Sequence, residues 1–500
     1  MAMKPSKLSD HTFVKGRFIT PFNSIPGMTE VGDEKSWPYG RLPEYIWVGL
    51  ILEKFGRRSG LEALYKIIIE LHRIAPSLRT PRLSSILSLP DDNQSEFYNV
   101  ICNLVGSQAL NPLTLICTRT EAPVFSSYFF SAESSIENRQ KELIALLQKL
   151  MDHQSNESTD IRFVVLYFGL LTDHIVMQKK QLDLLFKYPY LAHSDEEMRM
   201  IRPLVRSAEQ MLLEFEPSAT EFLKKFWRGI SEMTDCKLFQ VCFPSEQHDI
   251  ALYMERVHEV FSYLSDMYTA LQPLDTKMSV IVGLATYSYK RLRELYDYQL
   301  FNSIAGRGVV RVMIEVYITL KYLIANEKDH ENIWKDFQLY GLGLYKLVLT
   351  RHREKEERPL SHFDASYIEL LVNEFRNEEF LNMDTKYFDK QNIRLKAENV
   401  GEKDLYGLYY DYDSSYEHAL WGAIRESTML KCDNPAHQYH IVPDVEGQLV
   451  LKSVLADCVL VMNKTISFIR ELYGLPEALY SEVISFEKQF DDSESSSPAD

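Results

Sequence analysis

Residues 308–326 read GVVRVMIEVYITLKYLIAN. Val312, Ile314, Val316, Ile318 and Leu320 put apolar side chains on most sides of a helix, so the segment predicts a helix enclosed by others. Arg311 and Glu315 stand four residues apart and share one face. A charged pair on an enclosed helix is costly unless the surroundings supply partners. It reads either as a structural ion pair that ties helices together or as an anion-binding arginine oriented by Glu315.

The sequence around this segment is of the same kind. Helices are expected at about Asp249–Leu271, Thr276–Leu300, Glu331–Lys355, Ala365–Arg376, Glu402–Tyr412, Ser414–Leu430 and Val445–Tyr473. In the first half, Leu42 to Arg73 reads as a helical hairpin, with Pro43 in its first turn and Gly56 as the stop of its first helix. Helices follow near Ser95–Leu104, Glu133–Met151 and Ile161–Leu171. Ser194 and Glu197, at capping-box spacing, open one that runs to about Phe215. Strand signals are few: Lys237–Phe243 has the composition of short strands, and nothing alternates for long. The expected fold is all-α, a multi-helix bundle assembly with little or no sheet. Residues 1–40 read as an extended arm, 41–235 as an N-terminal helical region, 247–485 as a C-terminal helical domain and 491–500 as a disordered tail.

Composition bounds the function. The chain has 500 residues, 45% of them apolar and 25% charged, enough to bury a large core. Its net charge of −16 disfavours broad nucleic-acid binding, which depends on neutralising phosphates. Six cysteines (Cys102, Cys117, Cys236, Cys242, Cys432 and Cys458) form no Cys-x-x-Cys pair, as expected in a reducing cytoplasm. No signal peptide or membrane-length apolar run is read, so the expectation is a cytoplasmic protein without a membrane partner. A Walker loop, a dinucleotide fingerprint, a His-Glu-x-x-His helix and a Gly-x-Ser-x-Gly elbow are all missing from the sequence. Gly306-Arg307-Gly308 lacks the third glycine and the preceding strand.

Two further constellations stand out. Tyr410, Ser414 and His418 recur at every fourth residue. On one continuous helix they would form a polar stripe for which Arg311 and Glu315 could be the partners. A histidine beside a glutamate can serve as a general acid or base near neutral pH, and a polar network at a helix crossing is the alternative. Cys432, His437 and His440 lie close together, but Cys-x4-His-x2-His is not a usual zinc spacing and offers three ligands where zinc takes four. That segment reads as a structured loop turning at Asn434-Pro435, and neither metal nor cofactor is assigned.

The Arg311-x-x-x-Glu315 helix continuing through Lys321-Tyr322-Leu323-Ile324, with the later Tyr410-x-x-x-Ser414-x-x-x-His418, resembles a family of uncharacterised bacterial helical proteins known only as a domain of unknown function. The resemblance covers about Thr276–Leu430. It implies an all-helical domain found in mobile and defence-associated gene neighbourhoods. A weaker likeness is to HEPN-type ribonucleases, whose arginine and histidine share one helix and cleave RNA without metal. Arg358 to His362 is one residue short of their spacing and contains Pro359.

The resulting expectation is a non-catalytic helical sensor or scaffold of a defence or regulatory module. Its partner would be a protein or a second copy of the chain, docking on acidic helices and the N-terminal hairpin. The alternative is a defence effector with HEPN-like, metal-independent phosphoryl-transfer chemistry acting on RNA. In that case His418 is the acid or base, Arg311 stabilises phosphate charge, Glu315 orients it, and Tyr322, Tyr410 and Ser414 bind substrate.

Overall fold

The computed structural model describes residues 7–21, 36–212, 219–241, 243, 250–271, 275–355, 362–375, 377–384 and 388–494. Among the described residues helices dominate, and the sheet is confined to five short strands. Among the described residues no helix is long and apolar enough to cross a membrane. The chain divides into two compact units: residues 1–239 with 431–441, and residues 240–430 with 442–500.

In the first unit, β1 (Thr12–Val14) and β2 (Arg17–Ile19) form an antiparallel hairpin with Phe13 opposite Phe18. A π-turn, Trp37–Arg41, leads into the Leu42–Phe55 helix. That helix is buried at every residue from Leu42 to Ile51 and stops at Gly56, whose φ of 73° is the conformation the sequence anticipated for a glycine stop. The first helix of the expected hairpin therefore lies in the middle of a core. The hairpin is completed by Arg57–Ile74 and surrounded by Asp91–Val105, Ile136–Leu150, Asn156–Leu171 and Met198–Met211. The indole N–H groups of Trp37 and Trp47 are satisfied by the Leu150 and Pro81 carbonyls, at 2.8 and 3.0 Å. Ser194 does not cap the last of these helices. Asp195 accepts from the Ala192 backbone and makes a turn instead, so the helix begins at Met198. The expected continuation of that helix to Phe215 lies outside the described residues.

The second unit is built around Ile304–Asn326. This helix packs against Thr276–Asp297, Ile393–Asn399, Asp411–Glu417 and Leu455–Tyr473, and buries residues on all of its faces, as its apolar pattern requires. It starts four residues earlier than the apolar pattern suggested, because Ser303 caps it by accepting from the Gly306 amide at 3.1 Å. Ile250–Leu271, Ile333–Arg353 and Glu477–Glu494 complete the unit. Two long helices read from the sequence are shorter here. Val445–Val454 is not helical, so that helix begins at Leu455. The expected Ser414–Leu430 helix breaks after Glu417, where Ala419 takes a left-handed φ of 47°, and a new helix spans Trp421–Thr428.

β3 (Leu238–Phe239), β4 (Met429–Cys432) and β5 (Ile441–Pro443) form a three-stranded sheet in that order, with Leu238 opposite Cys432. The sequence placed the first of these strands within Lys237–Phe243.

Gly306 fixes how closely the central helix begins against the preceding turn. A Cβ there would lie 2.4 Å from the Leu300 carbonyl oxygen, a backbone atom already held by the Ser303 amide and hydroxyl. Gly306→Ala is expected to destabilise the protein by about 1–3 kcal/mol, as for an overpacked core site. Urea denaturation checks this; a variant as stable as the wild type would show that the turn can move.

Candidate functional site

The central helix carries Arg307, Arg311 and Glu315 at successive fourth positions, a polar stripe on a largely apolar helix. Facing it is the chain from Tyr406 to Glu417. Residues Tyr406–Tyr410 form a π-turn, and Asp411–Glu417 continue as α-helix. The wider π-turn is a feature common at specialised sites in helices. It leaves Tyr410 and Ser414 both aimed at the stripe.

Arg311 lies at the centre. Its Nε donates to Ser414 Oγ at 3.0 Å, its Nη2 donates to the Tyr410 hydroxyl at 2.8 Å, and its Nη1 lies 3.4 Å from Glu315 Oε2. The Tyr410 hydroxyl donates onward to Glu315 at 3.2 Å. Burial, reinforced by the Glu315 carboxylate, raises the Tyr410 phenol above its ordinary range, so it stays a neutral donor. All three guanidinium nitrogens therefore have partners within the protein.

One turn earlier, Arg307 is buried. Its Nη2 donates to the Lys452 carbonyl at 2.8 Å, and its guanidinium lies over the rings of Tyr412 and Tyr416, at 5.7 and 5.6 Å. Beside it Asp413 is also buried. Desolvation pushes its carboxyl up to about 7, against the pull of Arg307 and with help from Asp457 and Glu426. The Tyr412 hydroxyl donates to both Glu426 oxygens, at 2.7 and 2.8 Å.

One turn later the stripe meets a buried ion pair. Lys396 Nζ is 3.0 Å from Asp389 and is sandwiched between the rings of Tyr322 and Phe388, at 4.6 and 4.8 Å. Burial lowers the Lys396 pKa, opposed by Asp389 and by Glu315. Tyr322 is raised to about 12, first by burial and then by Asp389. Tyr322 is thus a buried wall of this pair.

The structure brings Arg311, Glu315, Tyr410 and Ser414 into one network, with Tyr322 on its flank. It does not bring in His418. That residue follows the last turn of Asp411–Glu417 and its side chain is exposed. Among the described residues it makes no side-chain hydrogen bond or ion pair with Arg311 or Glu315. The break at Ala419 explains this: the polar stripe needs one continuous helix through residue 418, and the helix ends at 417. The Arg358–Pro359 part of the nearest HEPN-like spacing lies outside the described residues. Sequence reasoning missed Arg307, Asp413 and Lys396. Arg307 was detectable, since it extends the Arg311–Glu315 spacing by one more turn. Asp413 and Lys396 carry no local signal of burial.

Residues 280–437 match a family of unknown function (DUF5677). The match takes in both sides of the polar seam and agrees with the resemblance read from the Arg311 and Tyr410 motifs. No curated protein and no solved structure matches the chain.

Asp413 gives a pH signature. Unfolded, its carboxyl titrates near the ordinary value of 3.8; folded, it titrates near 7. Folding therefore favours the protonated acid. That contribution is complete below about pH 4 and is lost as the pH rises through about 7. Compared with Asp413→Asn, which stays neutral, the wild type is expected to weaken by on the order of 2–4 kcal/mol across that window. Denaturation curves of both proteins at several pH values measure it; a difference that does not change with pH would contradict the assignment.

Proposed function

We propose that this protein is a non-catalytic helical scaffold or sensor of a defence or regulatory module, and that the seam of Arg307, Arg311 and Glu315 sets its packing rather than performing chemistry. One observation carries the reading: each Arg311 nitrogen already has a partner in Ser414, Tyr410 or Glu315. An arginine that stabilises a developing negative charge needs donors aimed at a substrate oxygen, preorganised and available. His418, the acid or base of the alternative reading, lies outside this network. The defence setting rests on the resemblance to a bacterial domain family alone. The partner is a protein or a second copy of the chain.

The test compares wild type, His418→Ala and Arg311→Met for cleavage of single-stranded and structured RNA, with and without EDTA, alongside thermal unfolding. The expected result is no His418-dependent cleavage, with Arg311→Met less stable by about 1–3 kcal/mol because Ser414, Tyr410 and Glu315 lose a common partner. Cleavage by the wild type that disappears in His418→Ala while the melting temperature holds would overturn the reading in favour of an RNA-cleaving effector.

A further inference from the structure

The segment from Cys432 to His440 offers three metal-type ligands in the sequence. The fold supplies a fourth from far away. Cys236 lies in the segment after the Thr220–Ser231 helix, and its Sγ comes within 3.4 Å of His437 Nδ1 and 3.2 Å of His440 Nε2, although it is 201 and 204 residues away in sequence. Cys432 Sγ is 3.7 Å from the same His437 nitrogen. All four ligand atoms lie within 4.8 Å of one another. Both cysteines are free thiols. All four residues belong to the first unit.

These distances have a specific meaning. Zinc holds thiolate sulfur at about 2.3 Å and imidazole nitrogen at about 2.0 Å, so the edges of a tetrahedral site measure roughly 3.3–3.8 Å. The sulfur–nitrogen separations of 3.4 and 3.7 Å fall within that range and the third, 3.2 Å, lies just below it. The donor set is two sulfurs and two nitrogens, which suits zinc over harder cations.

The surroundings prepare the ligands. His437 Nε2 faces the carbonyls of Thr234, at 2.8 Å, and Ser231, at 3.2 Å, so that nitrogen carries the proton. Its Nδ1 lone pair is thereby left pointing at the two sulfurs. This is the outer-shell arrangement that fixes the tautomer of a metal-bound histidine. Asn434 holds the turn on both sides: its Oδ1 accepts from the Ala436 amide, and its Nδ2 donates to Thr234 Oγ1 and the Asp235 carbonyl, each at 2.9 Å. Gln438 and Tyr439 both adopt left-handed backbone, with φ of 55° and 52°. That unusual pair turns the chain so that His437 and His440 reach the same point. Cys432 is delivered by β4, where its amide bonds the His440 carbonyl at 2.8 Å.

We propose that Cys236, Cys432, His437 and His440 bind a structural zinc ion. With four protein ligands the site is closed, so the ion holds structure and performs no chemistry. Binding converts two neutral thiols to thiolates and releases two protons to solvent, leaving a site with no net charge. The ion clasps residues 431–441, where the chain returns, to the segment after the Thr220–Ser231 helix, where it departs. It thereby closes a loop of some 200 residues.

The experiment uses the full-length protein, reduced, loaded with zinc and passed over a chelating column, with metal measured by mass spectrometry. Cobalt is loaded in parallel. Wild type is expected to retain one zinc per chain and, with cobalt, to show the intense visible bands of a tetrahedral thiolate site. Cys236→Ser and His440→Ala change exposed residues outside the core. They are expected to keep their helical circular dichroism while losing the retained zinc and the cobalt bands. Wild type should also melt lower after chelation, and Cys236→Ser should not. Three results would overturn the proposal: no retained metal in a reduced, folded wild type, which would leave only a thiol–imidazole hydrogen-bond cluster; undiminished zinc retention in Cys236→Ser; or recovery of the pair as a Cys236–Cys432 disulfide that excludes metal.

Discussion

Burying cations on an apolar helix is the constraint on which the second unit depends. Ile304–Asn326 is enclosed by four other helices, yet it carries Arg307 and Arg311, and Lys396 is buried against its later turns. Removing such groups from water costs several kcal/mol per ion unless partners replace the lost hydration. The chain from Phe388 to Glu417 supplies those partners. Asp389 and two aromatic rings receive Lys396, Tyr410 and Ser414 receive Arg311, and the rings of Tyr412 and Tyr416 cover Arg307. Any packing that failed to place that segment here would strip Arg311 of Tyr410 and Ser414, uncover Arg307, and take Lys396 from the ring of Tyr322. The seam therefore selects one arrangement among the many that an apolar helix would accept.

The seam is not uniform along its length. Around Arg311 it is closed, each guanidinium nitrogen having a partner. Around Arg307 it is under more electrostatic tension, because Asp413 is held near 7 by burial and by the neighbouring Asp457 and Glu426. This end of the seam changes charge near neutral pH, whereas Tyr410 and Tyr322 stay protonated there.

Much of this was readable in advance, and the limits have physical causes. The all-α fold followed from periodicity, since amphipathic and enclosed helices repeat every 3.6 residues whatever their tertiary setting. The Arg311–Glu315 pair and the Tyr410–Ser414 pair were visible because neighbours on a helix face are fixed by spacing. The break after Glu417 was not, because Ala419 adopts left-handed backbone without the glycine or proline that normally marks it. The non-helical Val445–Val454 segment likewise satisfies a helical pattern locally and is overridden by its setting. Lys396, Asp413 and Cys236 act through contacts made across tens to hundreds of residues, which local spacing cannot encode. The three ligands Cys432, His437 and His440 were legible; the fourth depended on β3 pairing with β4.

Buried Arg307 and half-buried Arg311 of the Ile304–Asn326 helix are matched by the chain's own residues, and this matching holds the unit together. A double-mutant cycle measures this matching: Arg311→Met, Tyr410→Phe and the combination, each followed by urea denaturation. A coupling energy of about 1–3 kcal/mol between the two sites is expected. Effects that add to within about 0.3 kcal/mol would contradict it, since they would mean that Arg311 and Tyr410 do not depend on each other in solution.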